Sequence, residues 1–187
     1  MKPQSNISTL KATSADRLIK IRKDFIKDRL INSLNEEHNY EIVRVINGVT
    51  YINNSASTDV DSTWLALEKT EGNIIWIVGG VDRGNDYAML KELVNDKVVH
   101  IICLGAYVTK IYKEFFFSNS RIIINSLSTD EAVHHASILA KSGDTVLFSP
   151  ACASYDLFEN IEDRGLKFKK SVNDLESGLL FKNYPNK

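Results

Sequence analysis

The chain has 187 residues, of which 43% are apolar and 25% charged, as is typical of a folded globular protein. Its 23 basic and 24 acidic residues give a net charge of −1, so no overall positive field favours binding of nucleic acid. No apolar run is long enough to span a membrane, and no apolar segment of a secretory signal follows the first residues, so we expect a cytoplasmic protein.

The two cysteines, Cys103 and Cys152, are too few for a disulfide framework or a zinc site, and we expect reduced thiols. A nucleophilic Cys152 would need a histidine base. The sequence alone places none of the histidines beside it; they are His38, His100, His134 and His135. We therefore interpret Cys152 as a small packing residue, and we expect no metal site.

The first predicted element is an amphipathic helix at 14–34. Its apolar stripe, which we expect to be packed, consists of Leu18, Ile21, Phe25 and Leu34. Two β-prone runs at 41–46 and 49–52 then flank Asn47-Gly48, which is a strong signal for a hairpin turn.

Helical and strand patterns alternate along the rest of the chain. The predicted helices are 60–70, 86–95, 107–116, 128–141 and one or two after Tyr155; the predicted strands are 73–78, 98–104, 121–124 and 145–148. Strands separated by helices of this length indicate right-handed βαβ units. We predict an α/β fold, a Rossmann-like three-layer sandwich with a mainly parallel sheet, an N-terminal β-hairpin and a preceding helix.

Three loops that follow strands should meet at the carboxyl edge of this sheet, where open α/β sheets bind ligands. Loop 1 comprises residues 53–59, between the hairpin and the next helix. Within it, Thr58 and Asp61 have the spacing of a capping box. The alternative interpretation is an anion site, because free amides at a helix start bind phosphate or carboxylate groups.

Loop 2 comprises residues 79–86 and is rich in glycine. It lacks the Lys-Ser/Thr pair of a phosphate-binding P-loop, and it does not fit the glycine pattern of a dinucleotide site. Arg83 has the geometry to bind a carboxylate or phosphate with two hydrogen bonds, but a solvated arginine in a glycine turn fits these residues equally well.

Loop 3 comprises residues 149–155, whose small side chains allow a ligand to approach the backbone. We expect Asp156 and Glu159 in the first turn of the following helix, where the helix dipole favours carboxylates. Ser154 lacks the Gly-x-Ser-x-Gly context of a hydrolase nucleophile, so we interpret it as a hydrogen-bond donor or a helix cap.

Together these loops resemble the C-terminal domain of the Mur ligases, from about His38 to Leu175. The motifs are Tyr-Ile-Asn-Asn-Ser-Ala-Ser-Thr at 51–58, Gly-Gly-Val-Asp-Arg-Gly-Asn-Asp-Tyr at 79–87, Leu-Gly at 104–105, Ser-Pro-Ala-Cys-Ala-Ser at 149–154, Asp-Leu-Phe at 156–158 and Asp-Arg-Gly at 163–165. The resemblance implies a domain at 38–187. It also implies that residues 1–37 are an extension similar to the end of the family's central domain.

The resemblance implies a reaction in which ATP, with Mg, phosphorylates the carboxylate of UDP-N-acetylmuramoyl-L-alanine. The amine of D-glutamate then attacks the acyl phosphate and forms an amide in a precursor of peptidoglycan. The P-loop and most of the metal site belong to the family's central domain, and another domain holds the UDP group. We therefore expect this chain not to catalyse the reaction alone and not to bind ATP or Mg tightly.

Carried over by motif, the residues implied for binding of the amino acid are Thr58, Arg83, Ser154 and Ile161. Those implied for the nucleotide are His38, Asn54 and Ser55. The chain departs from the family pattern among both the amino-acid residues and the nucleotide residues. On the amino-acid side, Arg83 replaces a lysine and Ile161 replaces an aromatic residue. On the nucleotide side, Asn39 replaces an arginine, Asn54 replaces an acidic residue and Ala56 replaces a lysine. No residue is assigned a catalytic role.

Two functions remain open from these residues. The first is the amino-acid-accepting domain of a D-glutamate-adding ligase, which would work with the missing ligase domains. The second is a diverged binding or interaction module without ligase activity, suggested by Asn39, Asn54 and Ala56 together. A Rossmann oxidoreductase remains a third class on fold grounds alone.

Overall fold

The computed structural model describes residues 14–30, 36–106, 108–116, 121–155 and 157–180. The helices are α1 Ser14–Leu30, α2 Val60–Lys69, α3 Lys91–Lys97, α4 Thr109–Phe115, α5 Thr129–Leu139 and α6 Ile161–Glu176, and a 3-10 turn at Tyr87–Leu90 precedes α3. The strands are β1 Glu41–Ile46, β2 Val49–Asn53, β3 Ile74–Val78, β4 Val98–Leu104, β5 Ile122–Ser126 and β6 Thr145–Phe148. Within these ranges, no helix combines the length and the apolar character that crossing a bilayer requires.

The strands form one sheet of six in the order β1-β2-β6-β3-β4-β5. Strands β1 and β2 pair antiparallel, and the other neighbouring pairs are parallel. Because β6 lies between β2 and β3, loop 3 emerges between loops 1 and 2 at the carboxyl edge. The predicted fold class is confirmed.

The turn that joins β1 to β2 has left-handed backbone at both central residues, with φ 52° at Asn47 and 79° at Gly48. This is the conformation that a two-residue hairpin turn needs to match the twist of its strands. The hairpin prediction is confirmed.

Helices cover both faces of the sheet and produce three layers. On the first face, α2, α3 and α4 bury Trp64, Trp76 and Phe115, and the last two rings meet edge to face with centroids 5.7 Å apart. On the second face, α5 and α6 bury a cluster that includes Phe148 and Phe168, whose centroids are 4.8 Å apart. The apolar β3 strand is buried between these layers along its whole length.

Helix α1 presents a different face to the protein than its apolar stripe predicts. Leu18 and Ile21 are 67% and 65% exposed, so the expectation that they are packed is wrong. Ile26 enters the core instead, while the ammonium groups of Lys23 and Lys27 lie 5.5 and 5.7 Å from the centroid of the Trp64 ring. These lysines also pair with carboxylates of α2 and α3, which turns the stripe outward. The side chain of Phe25, and Leu34 with the rest of 31–35, lie outside the described residues.

Candidate functional site

Loop 3 is hydrogen-bonded to loop 2 through main-chain atoms. The amide of Gly79 donates to the carbonyl of Pro150 at 3.0 Å, and Val81 and Ala153 exchange two bonds of 3.0 and 3.3 Å in a short antiparallel bridge. A methyl group on Gly80 would lie 2.4 Å from the Ala153 carbonyl oxygen, so only glycine permits this approach. The two loops therefore form one continuous wall.

Loop 1 reaches the same wall through the side chain of Asn54. Its amide nitrogen donates to the Ser149 hydroxyl at 3.0 Å, and its amide oxygen accepts from the backbone of Tyr40 at 3.1 Å. The main-chain amide of Asn54 also donates to the carbonyl of Phe148, the last residue of β6, at 2.8 Å. Asn54 thus supports the loop from within, and its polar atoms are directed into the fold.

A buried arginine joins loops 1 and 3 to helix α6. Arg164 is 1% exposed; one guanidinium nitrogen donates to the carbonyl of Cys152 at 2.8 Å, and the other donates to the carbonyl of Ser55. Arg164 lies in the Asp-Arg-Gly motif at 163–165, but the sequence alone predicted no role for it. The available signal was its position one turn before Phe168, on the buried face of an amphipathic helix.

Helix α6 also packs closely against loop 1 at the next residue. A Cβ atom on Gly165 would lie 2.3 Å from Nδ1 of His38 and 2.5 Å from the Ser55 hydroxyl. The glycine at this position lets the helix touch both residues, which are two of those predicted to bind a nucleotide.

The three predicted nucleotide residues, His38, Asn54 and Ser55, lie together but are buried. Nδ1 of His38 accepts a hydrogen bond from the Asn53 amide at 3.0 Å, and the main-chain amide of Ser55 donates to the Asn53 side-chain oxygen at 3.2 Å. The Ser55 hydroxyl is buried without a hydrogen-bond partner among the described residues. Their role toward a nucleotide stays a prediction, since these side chains face the interior.

Three of the four residues predicted to bind the amino acid lie nearer the surface of the same edge, whereas Ser154 is buried, with 2% exposure. Arg83 is exposed, and its guanidinium carbon lies 5.5 Å from the centroid of the Tyr155 ring, which is itself 68% exposed. The bridge between loops 2 and 3 brings Arg83 to the segment that contains Ser154. Thr58 is half-buried at the end of loop 1, and Ile161 opens α6 at 39% exposure.

The helix caps differ from those predicted. The cap of α2 is Asp59, which accepts from the Ser62 amide at 2.8 Å, so the capping box led by Thr58 is wrong. Asp59 lies three residues before Ser62, which is the usual spacing between a helix cap and the amide that it accepts from. Its negative charge also occupies the place that the anion-site interpretation would give to a ligand.

Helix α6 begins later than expected. The described residues 157–160 precede the helix, and the side chain of Asn160 caps α6 by accepting from the Asp163 amide at 2.7 Å. Glu159 therefore precedes the helix, so the expectation that it lies in the first turn is wrong. Ser154 is not the cap of α6, so that alternative is wrong, and its interpretation as a hydrogen-bond donor stays a prediction. The first-turn carboxylates are Glu162 and Asp163, and Asp156 lies outside the described residues.

Cys152 packs in the wall between loops 2 and 3. Its sulfur lies 3.2 Å from the Tyr87 hydroxyl and 3.7 Å from the Asn85 amide, which also donates to the carbonyl of Ala151 at 2.7 Å. Burial raises the pKa of the Tyr87 hydroxyl, and burial raises the pKa of Cys103 to about 12. Both cysteines are buried free thiols, in agreement with a packing role for Cys152.

An ion network lies beside His38 and links α6 to β1. The Lys169 ammonium pairs with Glu41 at 2.7 Å and with Glu37 at 3.1 Å, and Glu41 accepts from the His38 amide at 3.1 Å. Burial opposes ionisation of Glu41, but hydrogen bonds from Lys169, His38 and Asn53 outweigh it and hold its pKa below the usual value. The negative charge on Glu41 therefore stabilises the position of His38.

Comparison with known proteins places these loops in a family. No family model matches the chain. Over 168 residues the chain is 45% identical to the UDP-N-acetylmuramoylalanine–D-glutamate ligase of Christiangramia forsetii, and this alignment covers 90% of the chain and 38% of the relative. The ligase of the same name from Porphyromonas gingivalis is 45% identical over 161 residues, covering 86% of the chain and 36% of the relative.

Among solved structures, the MurF ligase of Thermotoga maritima in complex with ADP has 17% identity and a TM-score of 0.47, covering 76% of this chain and 33% of that one. The chain spans 36–38% of the length of the two curated relatives above. With the motifs of all three loops present and 45% identity over nine tenths of its length, the chain belongs to the Mur ligase family and is most like the C-terminal domain of its D-glutamate-adding member, MurD.

Proposed function

We propose that this chain is the amino-acid-accepting domain of a MurD-type ATP-dependent ligase, which adds D-glutamate to UDP-N-acetylmuramoyl-L-alanine in peptidoglycan biosynthesis. The observation that carries the proposal is the 45% identity to ligases of that name, which extends over the three loops at the carboxyl edge. The main-chain hydrogen bonds between these loops support it, because they fix a wall of constant shape for a substrate.

In this proposal, D-glutamate binds at the mouth of the wall. Arg83 is an exposed cation there, and its planar guanidinium suits a carboxylate with two parallel hydrogen bonds. The hydroxyl groups of the half-buried Thr58 and of Ser154, which is buried behind the mouth of the wall, supply uncharged hydrogen bonds, and Ile161 contributes an apolar contact at the start of α6. These residues bind and orient the amino acid so that its amine can reach an activated carboxyl group held elsewhere in the ligase.

The described residues fit ATP and Mg poorly. His38, Asn54 and Ser55 are buried, Ala56 contributes no charge, and no cluster of three or more metal-binding side chains occurs in the described ranges. In the proposed ligase, ATP and Mg serve to activate the carboxyl group of the precursor and are held by the remaining domains. The chain by itself is then inactive and binds neither tightly.

The same proposal divides the chain at residue 38. Residues 1–37 are an extension that continues the central domain of the ligase, and residues 38–187 are the C-terminal domain. The partners are the missing ligase domains and the two substrates. A cytoplasmic location accompanies the proposed use of ATP and a UDP-linked precursor.

The proposal is tested by isothermal titration of the chain with D-glutamate and with ATP. We expect D-glutamate to bind, and Arg83→Gln to weaken this binding about tenfold, because a charge-assisted pair is lost. The matched control is Arg44→Gln, since Arg44 on β1 pairs with Glu176 at the end of α6 and its replacement should leave the affinity unchanged. Equal affinity in wild type and Arg83→Gln, or rapid ligation by the chain alone, would contradict the proposal.

A second candidate, a diverged binding module without ligase activity, is favoured by Asn54. This side chain is committed to Tyr40 and Ser149, where the family pattern has an acid, and Ala56 follows where the pattern has lysine. The test is a ligase rebuilt from this chain and the remaining domains of the Porphyromonas gingivalis relative. Two double variants of the rebuilt ligase are compared: Asn54→Asp with Ala56→Lys, and Asn54→Asp with Ala56→Gln. If only the first recovers ligation, the chain descends from an active ligase that has lost charged residues. D-glutamate binding without recovered ligation supports the binding module.

A further inference from the structure

Loop 3 exposes a large aromatic side chain at the mouth of the wall. Tyr155 is 68% exposed, so packing in the core does not account for its ring. The guanidinium of Arg83, from loop 2, lies over this ring with its central carbon 5.5 Å from the ring centroid. At such a distance the electron-rich face of the ring attracts the cation, and the planar guanidinium can stack on it. The two loops therefore meet through side chains as well as through main-chain bonds.

The backbone of loop 2 is fixed on both sides of Arg83. Val81, two residues earlier, is bonded to loop 3 through the antiparallel bridge. The carboxylate of Asp82 accepts from the amides of Gly84 and Asn85 at 2.7 and 2.8 Å, which closes a turn around Arg83. This turn holds the main chain of Arg83, but it places no restraint on the guanidinium at the end of a long side chain.

The ring of Tyr155 supplies that restraint. An arginine side chain has many rotamers, and a ligand that has to order them binds more weakly for that reason. A guanidinium already held on a ring loses less freedom when a carboxylate binds. Its N–H groups lie in the plane of the group, so stacking on one face leaves them available for two parallel hydrogen bonds. Arg83 is exposed, and a ligand can therefore reach these groups.

We propose that Tyr155 is a positioning residue, whose ring holds the Arg83 guanidinium in place for a carboxylate of the amino-acid substrate. The inference rests on the proposed function, because that function assigns Arg83 to the binding of D-glutamate. Tyr155 acts through Arg83 and not through a bond of its own to the substrate. The motifs of the sequence gave this tyrosine no role.

The first test follows the contact between ring and guanidinium in the chain without ligand. An aromatic ring shifts the NMR signals of protons above its face upfield, so the Hε proton of Arg83 reports on the ring directly. We expect an upfield signal in wild type and in Tyr155→Phe, which keeps the ring, and a downfield change in Tyr155→Leu, which removes it. Because Tyr155 is exposed, both variants should melt at the temperature of wild type. An unchanged signal in Tyr155→Leu would overturn the proposal.

The second test is isothermal titration with D-glutamate. We expect Tyr155→Leu to weaken binding about threefold, whereas Tyr155→Phe keeps the wild-type affinity. The matched control is Phe116→Leu, which removes a 62% exposed ring at the end of α4 and should leave the affinity unchanged. In a chain that already carries Arg83→Gln, Tyr155→Leu should cause no further loss, because there is no guanidinium to hold.

The outcomes distinguish the role of Tyr155 from the proposed function. Equal D-glutamate affinity in wild type and Tyr155→Leu would overturn the role of Tyr155 alone. The same loss with and without Arg83→Gln would also overturn it, since Tyr155 would then act independently of Arg83. Failure of wild type to bind D-glutamate would contradict the proposed function itself, and the positioning role would fall with it.

Discussion

Arg164 is the residue on which the arrangement of loops 1 and 3 depends most. Its guanidinium donates to the main-chain carbonyls of Ser55 and Cys152, and all three residues are buried. Replacement by an apolar side chain of similar length leaves two buried acceptors without their donors. Each unsatisfied group in such a place costs about 1–3 kcal/mol.

We therefore predict that Arg164→Met lowers the free energy of unfolding by about 3 kcal/mol. Urea denaturation followed by circular dichroism measures this change. The control is Arg83→Met, which removes an exposed guanidinium and should change stability by no more than about 0.5 kcal/mol. Similar losses in the two variants would show that Arg164 does not hold the loops.

At the scale of the elements, the contact of α6 with loop 1 requires a residue without a side chain. In an exposed helix, alanine is more favourable than glycine by about 1 kcal/mol. At Gly165 the sign reverses, because the added methyl would overlap His38 and Ser55 at 2.3 and 2.5 Å. We predict that Gly165→Ala lowers the unfolding free energy by about 1–3 kcal/mol, as for other overpacked sites.

Thermal and urea denaturation measure the effect of Gly165→Ala. The control is Leu166→Ala, the exposed neighbour on the same helix turn, for which we expect little change. A stabilised Gly165→Ala variant would mean that helix propensity outweighs the contact with loop 1.

The elements themselves are mostly predictable from the sequence, because strands such as 145–148 are short apolar runs and Asn47-Gly48 fixes the hairpin. Features that depend on contacts between residues distant in the sequence are not predictable in this way. The outward turn of Leu18 and Ile21 follows from ion pairs that α1 makes with α2 and α3. The caps were missed because Thr58 and Asp59 are adjacent cap-forming residues, and only the backbone geometry distinguishes them.

The candidate site was predictable only in part, because some of its contacts join residues that are distant in the sequence. Motif resemblance located the three loops, and the order of parallel strands explains why they meet. It could not show that Asn54 turns inward to Tyr40 and Ser149, or that Arg164 joins two loops, since both depend on contacts between segments far apart in the chain.

For the whole molecule, the ion network of Lys169 with Glu37 and Glu41 makes stability depend on pH. The pKa of Glu41 is lowered on folding, so its contribution is present above the unfolded value of 4.5 and is lost as the pH falls through the folded value. Hydrogen bonding to Glu41 raises the pKa of Lys169, so the contribution of that lysine is present below 10.5 and is lost above its folded value.

We predict that Glu41→Gln lowers the unfolding free energy by about 1 kcal/mol at neutral pH, and that this difference disappears at low pH once the wild-type carboxyl group is protonated. Urea titrations between pH 3 and pH 7 test the prediction. Glu159→Gln serves as the exposed control, for which we expect little change in the unfolding free energy at neutral pH. A constant difference across this range would assign the loss to packing instead of charge.

The bonds of Arg164 have a consequence for how this protein can change over evolutionary time. They end on carbonyl oxygens, which every amino acid possesses, so mutation of the loop side chains leaves them intact. Loops 1 and 3 can therefore accumulate substitutions such as Ala56 without losing their positions. Substitutions in these loops can therefore change which ligand the domain binds while the fold remains unchanged. A domain of this kind can keep its structure after it has lost its ancestral activity.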